Sequence, residues 1–257
     1  YVFEKAEMKQ GMSVLDAGAG WGNLWRCNQE QIPERLHVTC VDKHNTHMDT
    51  FCAYIEEQKS EGEFAECEFD FCWDDLETMV LNGPYERIFF NHVVAQISDR
   101  PALYRKFSSV LSEDGVFICT WGGLLFYEKL QPLLREFFEE DEYVQLSKLY
   151  RKHKERAEEL EKEIQEVFRV EKHAYEIKLH FATAEEFMEY IQQVCRPVRE
   201  ELELRRSEFL TFLQRFKNEQ GQFTFERDTY LYRCRKAEER MEVEENVNVG
   251  YTFDGCR

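Results

Sequence analysis

Short apolar runs recur along the first half of the chain, and segments with apolar residues three or four positions apart lie between them. A short apolar run is typical of a buried strand, whereas the longer spacing is typical of a helix with one buried face. Strands that alternate with helices in this way favour a parallel sheet with helices on both sides, that is, a doubly wound α/β fold. The predicted strands of this half cover residues 13–16, 36–41, 63–69, 87–90 and 116–120.

The pattern becomes helical after Gly122. Residues 124–138 have leucines and phenylalanines on one side, and in the charged segment that follows, apolar residues keep helical spacing up to Val167. This pattern predicts an amphipathic helical insertion. Its apolar stripe could pack on the sheet, line a substrate pocket, cover a bound ligand or join a second copy in a homodimer. Further strands are predicted over 175–181 and 223–233, with helices over 184–195 and 197–217 between them.

The chain length favours one large domain with an insertion over two independent domains, because 257 residues can surround a single core. We expect residues 1–122 to form the first part of the core, 123–169 the helical insertion, and 170–236 the remainder of the core sheet and its helices. Residues 237–257 are acidic and polar with few periodic apolar positions, so they are predicted to form a mobile tail.

Charge and cysteine content narrow the classes of partner. A formal net charge of −18 argues against nucleic-acid binding, which needs clustered Lys and Arg. No apolar run reaches the ~20 residues that span a bilayer, and no signal segment opens the chain, so a membrane role is not expected. The nine cysteines contain no C-x-x-C pair, and free thiols of this kind are typical of the reducing cytoplasm.

A glycine turn follows the first predicted strand. Gly18, Gly20 and Gly22 alternate with other residues after the run that begins at Val14, and a helix is predicted to start near Asn23. Glycines permit backbone angles that other residues avoid and leave room for a ligand. A strand, a glycine turn and a helix together place that ligand at the carboxyl end of the strand. A nicotinamide dinucleotide is disfavoured, because Asn23 stands where its signature has a third glycine.

Asp16 and the three glycines form Asp-x-Gly-x-Gly-x-Gly, which resembles the first motif of class I S-adenosylmethionine (SAM) dependent methyltransferases. Over most of residues 10–236 the chain is similar to the small-molecule branch of ubiquinone and menaquinone biosynthesis methyltransferases. The resemblance implies a seven-stranded, Rossmann-like sheet whose last strand is antiparallel and lies between the fifth and sixth. It also implies that Asp16 and the glycine turn hold the methionyl end of SAM. The segments that carry it include Gly22-Asn23-Leu24-Trp25-Arg26, Phe90-Asn91-His92-Val93, Ser98-Asp99-Arg100, Thr120-Trp121-Gly122 and 223–235.

Carboxylates are expected at the ends of the second and third strands. Asp42 ends the second strand about 20 residues after the turn, where it can accept hydrogen bonds from both ribose hydroxyls of an adenosyl group. Its alternative role is to cap the following helix. In the resembled family an acid after the third strand bonds the adenine amino group, and Asp70 matches that position better than Glu68. Phe71 covers the adenine face or packs in the core.

Lys43 after Asp42 and Asn91 after the fourth strand complete the predicted cofactor-binding residues. No metal site is predicted, because His44 and His47 have no third ligand in view.

The resemblance implies methyl transfer from SAM to a small-molecule acceptor, which leaves S-adenosylhomocysteine (SAH). Such an in-line displacement depends mainly on alignment and exclusion of water. His92 comes where the fourth strand ends, so it is the candidate catalytic base or acceptor-positioning residue; alternatively it only bonds the loops around SAM. Gln96 and Leu124-Leu125 depart from the family pattern, which leaves open a methyltransferase-fold scaffold or partner subunit without turnover.

Overall fold

The computed structural model describes residues 1–195 and 198–237. Within them seven strands form one sheet, in the order β3-β2-β1-β4-β5-β7-β6. The first five strands run parallel, and β7 pairs antiparallel with both β5 and β6. This order confirms the expected Rossmann-like sheet with an antiparallel last strand. The strands are β1 (Ser13–Ala17), β2 (His37–Val41), β3 (Glu68–Cys72), β4 (Tyr85–Asn91), β5 (Leu111–Gly122), β6 (Phe168–Phe181) and β7 (Phe223–Lys236).

Helices cover both faces of this sheet, as the alternation of strands and helices predicts. None of the described helices is long and apolar enough to cross a membrane. The described helices are α1 (Val2–Ala6), α2 (Asn23–Arg26), α3 (Asn45–Ser60), α4 (Arg100–Val110), α5 (Leu125–Phe137), α6 (Glu140–Gln165), α7 (Ala184–Val194), α8 (Arg199–Leu204) and α9 (Arg206–Leu213).

Each face of the sheet has its own hydrophobic core. Successive residues of a strand point to opposite faces, so Leu15 and Ala17 belong to the core beneath α4 and α6. Val14 lies in the opposite core, beneath α1, α2 and α3. A third core joins α5, α7, α8 and α9 to the far end of the β6–β7 hairpin, around Phe187 and Phe223.

The helical insertion packs against the first core. Leu160 and Ile164 of α6 are buried there. Arg100 at the start of α4 makes a two-pronged ion pair with Glu163, with Nε–Oε2 at 2.6 Å and Nη2–Oε1 at 2.9 Å. Packing on the sheet therefore accounts for this part of the apolar stripe. The homodimer stays a prediction.

Three predicted elements are wrong in their boundaries. The third strand begins at Glu68 and ends at Cys72, not over 63–69, because Phe64 has a φ of 50° and belongs to a turn. The sixth strand begins at Phe168, since β7 pairs with it over fourteen positions. The helix predicted over 197–217 is two helices, α8 and α9, which are interrupted at Arg205. Residue 197 and the predicted tail from 238 onwards lie outside the described residues.

Candidate functional site

The glycine turn lies between the carboxyl ends of β1 and β2. The amides of Gly18 and Ala19 both donate to the carbonyl of Val41, at 2.7 and 3.0 Å, which ties the turn to the end of β2. Gly18, Gly20 and Gly22 have φ angles of 80°, 56° and 70°, values that other residues rarely adopt. The turn therefore depends on glycine at all three positions.

Close packing adds a second requirement at two of these glycines. A Cβ atom on Gly22 would lie 2.1 Å from the ring of Phe51 in α3, and one on Gly18 would lie 2.3 Å from Val93. A Cβ on Gly20 would meet only Asp42 Oδ2, at 3.9 Å. Gly18 and Gly22 thus let neighbouring elements approach the turn, whereas the space above Gly20 is open apart from Asp42.

Asp42 directly follows β2 and faces this turn. Its Oδ2 accepts a hydrogen bond from the Gly20 amide at 2.9 Å, and its Oδ1 accepts one from the His44 amide at 2.8 Å. The second bond meets the amide of His44, which is itself the residue before α3, so Asp42 does not cap that helix. Each carboxylate oxygen has two acceptor positions, so each keeps one for a ligand hydroxyl.

A crevice beside Asp42 continues toward the loop after β4. It has a volume of about 30 Å³, and the Lys43 Nζ to Asp75 Oδ2 ion pair lies at its wall at 3.5 Å. A volume of this size holds little more than one water molecule. The residues that line this Asp42 crevice include Gly18, Lys43, Asp74, Asp75, Val93 and Gln96.

Asp70 lies within β3 instead of following it, and it is exposed beside Thr39 of β2. The acids that follow β3 and line the Asp42 crevice are Asp74 and Asp75. The prediction that Asp70 follows the third strand is therefore wrong. Its bond to adenine, based on that position, stays untested. The sequence prediction did not include Asp74, because β3 ends at Cys72, three residues later than predicted.

Phe71 belongs to the aromatic packing around α3. Its ring lies edge-on to that of Phe51, with centroids 5.2 Å apart, and is part of the core on that face. The core alternative for Phe71 thus describes its contacts in this structure.

Asp16 is buried beneath the turn, on the face covered by α2. It is 2% exposed, and its Oδ2 accepts a hydrogen bond from Trp25 Nε1 at 2.7 Å. Burial raises the pKa of Asp16 to about 7, the Trp25 bond opposes that rise, and Asp42 adds to it. Asp16 thus supports the turn from below, and its predicted contact with the methionyl end of SAM stays a prediction.

A larger cavity of about 370 Å³ opens where β4 and β5 end. The loops and strands around it come from distant parts of the sequence, and residue spacing gave no signal for the contributions of β6 and β7. We call it the His92 cavity. Its lining includes Leu24, Asn91, His92, Thr120, Tyr175 and Thr229.

Asn91 and His92 form the wall of this cavity at the end of β4. Thr120 Oγ1 donates to Asn91 Oδ1 at 3.2 Å, and the His92 amide donates to Thr120 Oγ1 at 3.1 Å. The Asn91 Nδ2 group is buried, and no described residue accepts a hydrogen bond from it. A buried donor of this kind is costly unless a bound ligand or water accepts from it.

His92 is exposed at the wall of the cavity, and its backbone has a φ of 58°. The surrounding protein atoms desolvate the ring and lower its pKa, and the positive charge of Arg227 lowers that pKa further. His92 is therefore neutral near pH 7 and able to accept a proton. Among the residues that the structure describes, no three His, Cys, Asp or Glu side chains are placed to hold a metal ion.

Solved structures with this arrangement are known, although the chain matches no protein-family model and no curated protein sequence. A Bacillus halodurans C-125 protein, provisionally named a methyltransferase, is similar with a TM-score of 0.52 and 14% identity, over 91% of this chain and 96% of that one. The chain has the class I methyltransferase fold. Haemonchus contortus phosphoethanolamine N-methyltransferase 2, in complex with SAM, is similar with a TM-score of 0.50 and 13% identity, over 92% of this chain and 51% of that one.

The same fold also occurs in a protein with a different reaction. The [4+2]-cyclase SpnF is similar with a TM-score of 0.50 and 10% identity, over 92% of this chain and 79% of that one. Function must therefore be argued from the residues of the site, because one fold hosts several activities.

Proposed function

We propose that this protein is a SAM-dependent methyltransferase that acts on a small-molecule acceptor. The observation that carries the proposal is the pairing of Asp42 with the Gly20 amide at the carboxyl ends of neighbouring parallel strands. In doubly wound sheets ligands bind at this edge, where the strand order changes direction, and here β1 lies at that change.

The residues at this edge fit the parts of SAM. The free acceptor positions of Asp42 suit the two ribose hydroxyls, and the wall formed by Asp74 and Lys43 suits the adenine edge. The unpartnered Nδ2 of Asn91 suits an acceptor oxygen, such as a carboxylate of the methionyl end. The similar phosphoethanolamine methyltransferase was determined with SAM, which supports the same cofactor here.

Cofactor binding requires the Asp42 crevice to widen from about 30 Å³. The Lys43–Asp75 ion pair is one polar contact at its wall, and the two side chains are 44% and 38% exposed. Surface pairs of this kind contribute at most about 1 kcal/mol, so their separation is inexpensive. We infer that these two side chains move apart when the nucleoside binds.

The bound cofactor supplies an electrophilic methyl group on a positively charged sulfur. The residues of this chain align the acceptor with that group and exclude water, which can contribute ~7–11 kcal/mol in well-aligned cases. With SAM held by Asp42, Asn91 and the glycine turn, the methyl group would pass to the acceptor atom, and its former bonding electrons would stay with the departing SAH. For a hydroxyl acceptor, neutral His92 takes the released proton.

Calorimetric titration with SAH tests the proposal. Removal of the Asp42 carboxylate deletes two charge-assisted hydrogen bonds, each worth about 1.5–3 kcal/mol. We therefore expect SAH to bind the wild type and to bind Asp42→Ala at least about 100-fold more weakly. Glu61→Gln, at the exposed far end of α3, should bind SAH as the wild type does.

An absence of heat from SAH binding with the folded wild type would overturn the methyltransferase proposal and favour the scaffold alternative. A parallel titration of Asp70→Asn and Asp74→Asn decides which acid meets the adenine. We expect the loss of affinity in Asp74→Asn, because Asp74 lines the Asp42 crevice.

A further inference from the structure

Arg227 lies on β7 beside the His92 cavity. Two residues further along the same strand, Thr229 lines the cavity, and Leu231 lines it two residues beyond that. Alternate residues of a strand share a face and lie about 7 Å apart. Arg227 is therefore at the edge of the cavity, and it is close enough to His92 to lower the pKa of that histidine.

The guanidinium of Arg227 has few protein partners. Its Nη1 donates to the hydroxyl of Tyr190 in α7 at 2.9 Å. In residues 1–195 and 198–237 this is its one side-chain hydrogen bond, and no carboxylate lies within ion-pair distance. Arg233, on the same face of β7, pairs instead with Glu7 at 3.0 Å and Glu171 at 3.2 Å. Arginine carries five N–H donors, so most of those of Arg227 remain available.

That no carboxylate in the described part of the chain pairs with Arg227 is unexpected, because the full sequence has 51 Asp and Glu against 33 Lys and Arg. Ile177 is the direct cross-strand partner of Arg227, and Tyr175 is that of Thr229. The acids next to Arg227 in sequence point to the other face of the strand. Of these, Asp228 accepts from the Leu125 amide and Glu226 pairs with Lys129.

We propose that Arg227 binds an oxyanion of the methyl acceptor, so that the acceptor is a small molecule with a carboxylate or phosphate monoester group. This assignment rests on the proposed function, since it names the substrate class for the same site. The planar fork of arginine matches both oxyanions with two parallel hydrogen bonds. Tyr190 holds the guanidinium in place for this contact.

The sheet spacing sets the size of such an acceptor. His92 follows β4, and Arg227 lies on β7, with β5 between them. Two strand spacings are about 10 Å. An acceptor about as long as a substituted aromatic ring fits between two positions this far apart. Its bound anion also offsets the charge of Arg227, which raises the pKa of His92 and strengthens it as a base.

Matched pairs of an anionic and a neutral probe test this inference on protein saturated with SAH. The probes are para-hydroxybenzoate against para-hydroxybenzamide, further hydroxylated aromatic acids against their amides, and phenyl phosphate against phenol. Affinity is measured by calorimetry for the wild type, Arg227→Gln, Arg227→Lys and the control Lys178→Gln. Lys178 lies on β6 next to Ile177, so its replacement removes one positive charge from the opposite face of the same hairpin.

We expect at least one anion to bind the wild type about 10-fold or more tightly than its neutral partner. That preference should disappear in Arg227→Gln, persist in part in Arg227→Lys and remain in Lys178→Gln. Preference for benzoates or for phenyl phosphate identifies the oxyanion. The inference is overturned if no anion binds more tightly than its neutral partner, or if the preference survives in Arg227→Gln.

SAH binding without the acceptor probes separates this inference from the proposed function. Arg227→Gln should bind SAH with wild-type affinity, because Arg227 lies two strands beyond β4 on the acceptor side. Absent SAH binding in the wild type would contradict the proposed function, whereas normal SAH binding without any anion preference would contradict only the assignment of Arg227.

Discussion

Asparagine in place of Asp16 removes a carboxyl group whose charge the fold disfavours. The side chain is 2% exposed, and burial, opposed by the hydrogen bond from Trp25 and reinforced by Asp42, raises its pKa from 3.8 to about 7. Because this pKa is higher in the folded than in the unfolded chain, the ionised carboxylate lowers the free energy of unfolding. This decrease in the free energy of unfolding is absent below the pKa of Asp16 in the unfolded chain. It grows between about pH 4 and pH 7 and is complete above about pH 7.

The size of the effect follows from the two pKa values. One pKa unit corresponds to about 1.4 kcal/mol, so the full rise corresponds to about 4 kcal/mol. At pH 5 only about 1.7 kcal/mol of this loss is present, because folded Asp16 is still almost fully protonated there. Asparagine keeps an oxygen that can accept from Trp25. We therefore expect Asp16→Asn to raise the free energy of unfolding by about 4 kcal/mol at pH 8 and by about 2 kcal/mol at pH 5.

Urea unfolding at the two pH values, extrapolated linearly to water, measures both differences. Asp70→Asn is the matched control, because Asp70 is an exposed carboxylate on the same sheet; its effect should stay within about 0.5 kcal/mol. A stability gain in Asp16→Asn that is equal at pH 5 and pH 8, or no gain at all, would refute the reasoning. If Asp16 also contributes to the methionyl site, the stabilised variant binds SAH more weakly.

Three further predictions concern the turn, the candidate base and the helical insertion. In urea unfolding, Gly22→Ala should lower the free energy of unfolding by about 2–5 kcal/mol, since its Cβ would meet a phenylalanine ring at 2.1 Å. The control Gly221→Ala, where φ is 74° and the space is open, should lower it by only about 1–2 kcal/mol. NMR titration of His92 should give a pKa below the usual 6.5, and Arg227→Gln should move it upward because a repelling charge is removed. Ile164→Ala should cost about 2–5 kcal/mol in urea unfolding, because the side chain is completely buried against the sheet.

Each of these three has a contrary result. Equal costs at the two glycines would show that packing against α3 does not limit Gly22. An unchanged pKa of His92 in Arg227→Gln would place the two side chains too far apart to interact. A negligible loss for Ile164→Ala would mean that α6 is not packed on the core.

Local patterns in the sequence determined the strands β1, β2, β4 and β5, the glycine turn and the place of Asp42. These features depend on residues close together in the chain. Apolar runs specify strands, and the positive φ angles of Gly18, Gly20 and Gly22 require glycine at those positions. A polar residue at the carboxyl end of a parallel strand lies at the same edge of the sheet as the residues at the carboxyl ends of the neighbouring strands. The resemblance supplied the antiparallel position of β7, which the strand order confirms.

Tertiary structure alone decided which side chains meet at that edge. The start of β3 depends on its pairing with β2, and this register moved the acids that face the crevice from Asp70 to Asp74 and Asp75. The His92 cavity and the position of Arg227 depend on the pairing of β6 with β7, and α7, α8 and α9 lie between these two strands in the sequence. A residue's partners follow from strand order and register, which long-range packing selects. Only the folded chain shows that no carboxylate of the described residues pairs with Arg227.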